Sequence, residues 1–287
     1  MLNAQELLTS LDVGLIFGVV AIGIYLTFRT INFADLTCDG SFVFGAAVTA
    51  VLVKQGFNPY FALVVSSAAG VVAGFLTGIL HVKFKISDLL SGIIVAFMLY
   101  SINLRIMGDS PNITFIDEAT TFSNAFSNRN TTLTIATLIA PIALSLIYLL
   151  FSGFGLRLRA VGYNKQLASI NGTNVKLTTI VGLMISNAII SLGGGMFSQY
   201  QGFCDISQGT GTLVAGLASV VIGEKILPFR REPLIILSCV VGSVLYRIFI
   251  NMALHSDILG VKTQDVNLIT GITIIAIMVI KRRKQNA

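Results

Sequence analysis

Apolar stretches of about 20 residues recur along this chain, joined by short polar or basic segments, and no soluble fold accommodates so many. A helix of that length satisfies its own backbone hydrogen bonds while crossing a hydrocarbon layer of about 30 Å, so each stretch reads as a span. The stretches do not alternate apolar and polar residues, which excludes a membrane β-barrel. Only 11% of the residues are charged, where soluble domains carry about 25%. The expected fold is therefore all-α: a polytopic integral membrane protein of about 8–10 transmembrane helices, with residues 1–287 forming one transmembrane domain. The first run lacks a basic leader and a small-residue cleavage site, so its retention is expected.

The expected spans run from about Ser10 to Phe28, Pro59 to Leu80, Ile86 to Ile106, Thr132 to Ser152 and Leu177 to Tyr200. A short seventh span covers Thr212 to Ile226, and two more follow over Leu234–Leu254 and Val266–Ile280. The second span is the exception. Residues 30–41 read Thr-Ile-Asn-Phe-Ala-Asp-Leu-Thr-Cys-Asp-Gly-Ser, and only a short apolar run to Val53 follows. About 12 apolar residues cannot cross a membrane as a straight helix. A broken or partly re-entrant second span is expected, its polar bend buried in protein or lining a cavity.

Charged groups at bilayer depth are costly and usually face a partner or a water path. Asn32, Asp35, Thr37, Asp39 and Ser41 are accordingly candidates for a translocation path, together with Asn187 on the sixth span. The competing reading sets them at the membrane surface as helix caps. Ser66, Gly70, Gly74 and Gly78 recur every four residues on the third span, a stripe that lets a neighbouring helix approach closely. Gly14 and Gly18 on the first span share that spacing. Gly193 to Gly195 can thin a helix beside a pore or serve close packing. Arg105 and Arg247 lie inside spans, and snorkelling explains Arg247 as well as function does.

Positive charge fixes orientation. Of 19 Lys and Arg, 14 fall at joints assigned to the cytoplasm: Arg29, Lys83, Lys85, Arg157, Arg159, Lys165, Lys176, Lys225, Arg230, Arg231 and 281–284. Lys54, Arg129 and Lys262 fall outside. The C-terminus is expected in the cytoplasm, and nine crossings place the N-terminus outside. The net charge of +6 is thus a topology signal and not a nucleic-acid signal. An external polar loop spans 107–131, and no internal repeat is visible in the sequence.

Chemistry of catalysis is missing. Gly223-Glu-Lys225 lacks the first glycine and the hydroxyl of a phosphate-binding loop. His81 and His255 sit at span ends, and no nucleophile elbow is present. No catalytic residue is assigned, and no metal site either, because histidines, cysteines and carboxylates do not cluster at ligand spacing. Cys38, Cys204 and Cys239 read as small buried apolar residues.

The stretch from Gly153 to Lys176 carries four positive charges and no negative one. Asn164 can cap a short helix and Gly172 can end it in a left-handed turn. Leu167 and Ile170 then share one face with nothing of this chain to cover it. The element reads as a docking helix for a soluble partner, or, more plainly, as a tight basic connector.

Leu-Arg-Leu-Arg-Ala-Val-Gly-Tyr-Asn at 156–164, continuing through Ala168 to Ile170-Asn-Gly172, resembles the cytoplasmic coupling segment of bacterial ATP-binding cassette importer permeases of the branched-chain amino acid and ribose type. Residues 32–42 and 216–225 are similar, more specifically, to the subfamily assigned to tryptophan- or tyrosine-type substrates. The resemblance covers essentially the whole chain, with three motifs in order. It departs at Lys165, where the family commonly has proline after the asparagine, and capping survives that change.

The resemblance implies a permease subunit in the bacterial cytoplasmic (inner) membrane, carrying a small solute such as an aromatic or other amino acid. It implies a homodimer, ATPase subunits below, and a periplasmic or lipoprotein solute-binding protein above. ATP and Mg would sit on the ATPase, with no cofactor on this chain. Arg157, Arg159, Gly162, Asn164, Leu167, Ala168, Ile170 and Gly172 would form the ATPase-coupling surface. The alternative is an ion-coupled secondary transporter working without ATPases. It needs ionisable residues deep in its spans, and the long spans hold few.

Overall fold

The computed structural model describes residues 4–122, 130–227 and 232–254, with single positions 268 and 271. Among the described residues, eight helices are long and apolar enough to cross a membrane. The ninth expected span, Val266–Ile280, lies outside the described residues except for positions 268 and 271, and so do the charges at Arg129, Arg230, Arg231, Lys262 and 281–284, and His255.

Helix α1 (Ala4–Tyr25) continues into a π-helical turn, Leu26–Ile31. After a bend come α2 (Thr37–Lys54), α3 (Pro59–Val82) and α4 (Asp88–Ile106). Strand β1 (Asn112–Thr114) precedes α5 (Asn130–Phe151), α6 (Gly153–Tyr163) and α7 (Lys165–Ile170). Helix α8 (Val175–Gln201) leads to β2 (Phe203–Asp205), a 3-10 turn (Ile206–Gly209), α9 (Thr212–Ile226) and α10 (Glu232–Leu254).

The second span is an unbroken helix, so the interruption falls ahead of it, at 32–36, and not within it. Its 18 residues reach about 27 Å, close to the hydrocarbon thickness. The apolar count alone understated the helix because Thr37, Cys38 and Ser41 are buried against protein and need not face lipid.

Helix α8 is the hub, packed against α1, α2 and α3. Small residues make this possible. A Cβ added at Gly70 would lie 2.2 Å from the Asn187 carbonyl oxygen, and one at Gly74 2.3 Å from that of Leu183. Gly78 faces Ile180, and Ser66 completes the row. Ser66 Oγ donates to the Ser191 carbonyl (2.8 Å) while Ser191 Oγ donates back to the Ser66 carbonyl (2.7 Å). Ser186 Oγ donates to the Gly23 carbonyl (2.7 Å), tying α8 to α1. In lipid, association rests on such close packing and interhelical bonds, each worth about 0.6 kcal/mol on average. Gly193, Gly194 and Gly195 face Val20, Phe42 and Thr49 respectively, so they serve packing. Gly14 and Gly18 admit Val244 and Val240 of α10.

The chain also forms a short antiparallel ribbon that nothing in the periodicity announces: Ile113 pairs with Cys204 in register between β1 and β2. It packs on Ala46, Ala50 and Val53 of α2, through Ile113, Phe115 and Cys204. At its edge the Asp205 carboxyl lies below its ordinary range. Partial burial pushes it up, and hydrogen bonds from Ser207 and Asn112 outweigh that.

Candidate translocation site and coupling surface

The polar segment 30–41 is built in three pieces. The π-helical turn ends at Asn32, whose left-handed backbone (φ 55°) points its N–H at the Thr27 carbonyl. Its side chain is exposed, at the end of the bundle that carries Arg29. The chain then turns inward through Phe33, buried against the His81 ring with centroids 5.0 Å apart. Asp35 follows, fully buried.

Both carboxylate oxygens of Asp35 are engaged. Oδ1 accepts from the Thr37 N–H (2.9 Å), which starts α2. Oδ2 accepts from Asn187 Nδ2 of α8 (2.8 Å), which also donates to the Leu183 carbonyl (3.0 Å). Asn187 Oδ1 in turn accepts from Ser41 Oγ (2.7 Å). Beside them the Thr37 and Thr77 hydroxyls share a 2.7 Å hydrogen bond. Asp35, Thr37, Ser41 and Asn187 are each 0% exposed, so the network locks α2 to α8 and α3 in a closed arrangement.

Asp39 does something different. Its Oδ1 accepts from the Leu213 N–H (2.8 Å) and so caps the first turn of α9. It also lines a groove of about 820 Å³ between the start of α2, α4 and the 3-10 turn. The six sequence candidates therefore separate: four form one buried network, Asp39 faces the groove, and Asn32 lies at the surface. The groove's α4 wall, with Phe97, Tyr100 and Asn103, was missed by sequence reasoning. Asn103, a polar amide inside an apolar run, was the available signal.

The basic stretch folds as two helices. Leu158 and Val161 of α6 are buried, and Leu158 packs with Ile31, Phe33 and Leu183. Gly162 lies against the Thr30 backbone so closely that an added Cβ would come within 2.0 Å of the Thr30 carbonyl oxygen. Arg159 holds the joint with α5 by donating from Nη2 to the Leu150 carbonyl (3.0 Å), and the Arg157 guanidinium lies 5.7 Å from the Phe154 ring centre. Asn164 Oδ1 caps α7, accepting from the Gln166 and Leu167 N–H groups (3.0 Å each). Gly172 (φ 78°) supplies the left-handed exit, and the Thr173 N–H returns to the Ala168 carbonyl (3.0 Å). Ala168 is buried beneath, while Leu167 is 55% and Ile170 83% exposed.

Sequence reasoning saw α7 and missed α6, whose two early glycines and alternating arginines look like loop. The same end of the bundle holds an ion pair, Arg29 Nη2 to Glu224 Oε2 at 2.6 Å, joining the π-helical turn to the end of α9. Among the described residues no group of three His, Cys, Asp or Glu could hold a metal ion.

Residues 7–278 match the family model described as branched-chain amino acid transport system / permease component. The chain is 40% identical to the tyrosine transport system permease protein of Clostridioides difficile (strain R20291), over 92% of this chain and 87% of the relative. It is 33% identical to an uncharacterized protein of Rickettsia prowazekii (strain Madrid E), over 96% and 98%. It is 22% identical to the ribose import permease protein of Escherichia coli (strain K12), over 93% and 82%. No solved structure matches. The chain belongs to the branched-chain amino acid transport system permease family: it is the multi-pass permease component of an ATP-binding cassette importer, and ATP hydrolysis falls to a separate subunit.

Proposed function

We propose that two copies of this chain form the translocation unit of an importer for an aromatic amino acid, seated in the bacterial cytoplasmic membrane. The tyrosine transport permease relative supports that substrate class. The C-terminus lies in the cytoplasm and the N-terminus outside, on the strength of the charge asymmetry. Residues 1–287 act as one transmembrane domain. ATP and Mg bind the ATPase subunits, and this chain holds no cofactor. A solute-binding protein delivers cargo at the face bearing the β1–β2 ribbon.

One observation carries the coupling proposal. The exposed pair Leu167 and Ile170 sits on α7, and α6 beside it is wedged through Gly162 and Leu158 against Thr30 and Ile31. Three residues later the chain reaches Phe33, and then Asp35, the centre of the buried network. An ATPase that grips Leu167 and Ile170 thereby holds a short lever on the bend ahead of α2. Replacing both residues by Asp is expected to cut uptake and its coupling to ATP hydrolysis by about tenfold or more, because a buried apolar contact becomes two unpaired charges. The permease should still insert and melt normally. Unchanged uptake and unchanged ATPase stimulation in the double variant would remove α7 from the interface.

A further inference from the structure

The groove between α2, α4 and the 3-10 turn has an unused polar group in its wall. Asn103 is 1% exposed, and its Nδ2 donates to the Gly40 carbonyl (3.3 Å). Because that partner is itself an acceptor, the amide orientation is fixed, and it is Oδ1 that has no hydrogen-bond partner among the described residues. A buried acceptor left unpaired is costly, and such groups ordinarily find a donor. Phe97 and Tyr100 line the same groove, 73% and 55% exposed. Asp39 is the charged residue among those lining it, and none of them is basic. The volume of about 820 Å³ falls within the roughly 300–1,000 Å³ of small-molecule sites.

We infer that this groove is a solute site for an aromatic amino acid: the ring stacks on Phe97 and Tyr100, a solute N–H or O–H donates to Asn103 Oδ1, and the charge of Asp39 favours an ammonium group. The inference rests on the permease reading above and adds the residues that select the solute. A lipid acyl chain fits the apolar walls but brings no donor to Asn103 and no positive charge to Asp39. A helix face from a second copy would have to supply both from within a transmembrane surface, where such groups are rare.

The chain contains no tryptophan, so Phe97→Trp places a single indole at the groove. The full-length variant in nanodiscs is titrated with 3-nitrotyrosine, which quenches indole emission. Saturable quenching is expected, relieved by tyrosine and not by leucine. Adding Asn103→Leu should raise the half-quenching concentration about tenfold, the worth of one lost hydrogen bond in a dry site. Tyr100→Ala in the same background gives a second reading that leaves Asn103 in place, and it too should weaken quenching. Non-saturable quenching, equal relief by leucine, or quenching unaltered by both second substitutions would overturn the inference. Quenching by brominated acyl chains that nitrotyrosine cannot relieve would assign the groove to lipid. Loss of the reporter's response on dilution to single copies, without any solute effect, would assign it to the dimer. None of these readings needs an ATPase, so failure of the coupling proposal and failure of this one are separately visible.

Discussion

Asp35 and Asp39 stand four residues apart, yet their surroundings give them unlike tolerances. Asp35 accepts from Thr37 with one oxygen and from Asn187 with the other, and it has no cation in hydrogen-bond contact among the described residues. An amide at that position would set Nδ2 against Asn187 Nδ2, donor facing donor. Rotating Asn187 relieves this but turns its oxygen toward the Leu183 carbonyl and forfeits that bond. Asp35→Asn should therefore cost about 1–3 kcal/mol, the penalty for a buried group left unpaired. Asp39→Asn keeps an oxygen for the Leu213 N–H and should cost about 1 kcal/mol or less, as a weakened cap does. Thermal melting in detergent checks the order: Asp35→Asn must melt clearly below Asp39→Asn. Equal melting of the two would mean that Asn187 does not constrain Asp35. The sequence marked both carboxylates as unusual for a membrane chain, and that reading needed only their depth. Which one is locked and which faces a groove depends on Asn187 and Leu213, more than 150 residues away, and no local pattern reports them.

Helices differ in how openly they announce their packing. Ser66, Gly70, Gly74 and Gly78 repeat at one helical face, so α3 was legible as a close-contact helix, and α8 is what it contacts. At Gly74 an added side chain meets backbone, which cannot move aside as a flexible side chain can. Gly74→Leu should cost about 1–3 kcal/mol through forced separation of α3 from α8. Gly153→Ala is the matched control, since no described residue lies within 4 Å of the Cβ it adds. A Gly74→Leu protein that melts with the Gly153→Ala protein would show that α3 and α8 do not depend on this contact. Other elements left no such trace. The β1–β2 strands have three residues each, too few for a period, and the central pair, Ile113 and Cys204, lies 91 residues apart. Helix α6 has two glycines in its first turn and reads as a connector. It is helical because Gly155 lets it press against the Leu150 carbonyl and because Leu158 packs on Ile31 of the π-helical turn, with Val161 also buried. The break expected within the second span lies ahead of it, because Thr37 and Ser41 are polar yet sit in helix, their hydroxyls bonded to Thr77 of α3 and Asn187 of α8.

Taken as one molecule, the chain connects the exposed α7, proposed as the coupling handle, to the buried polar network through α6 and the π-helical turn. Helix α7 adjoins α6, α6 packs on Thr30 and Ile31, and the chain that follows carries Asp35, which is bonded to Asn187 of α8. The Arg29–Glu224 pair adds α9 to the same end. On the proposed coupling, this arrangement would give ATP hydrolysis on a partner a physical route to the bend, while Asp35 is buried with both carboxylate oxygens engaged. The decisive measurement is uptake of radiolabelled tyrosine into proteoliposomes holding this permease, its ATPase and the loaded binding protein. Uptake should require internal ATP, persist when proton and sodium gradients are collapsed, and fall about tenfold or more with Leu167→Asp/Ile170→Asp. Uptake by the permease alone, driven by an ion gradient and indifferent to ATP, would contradict the account.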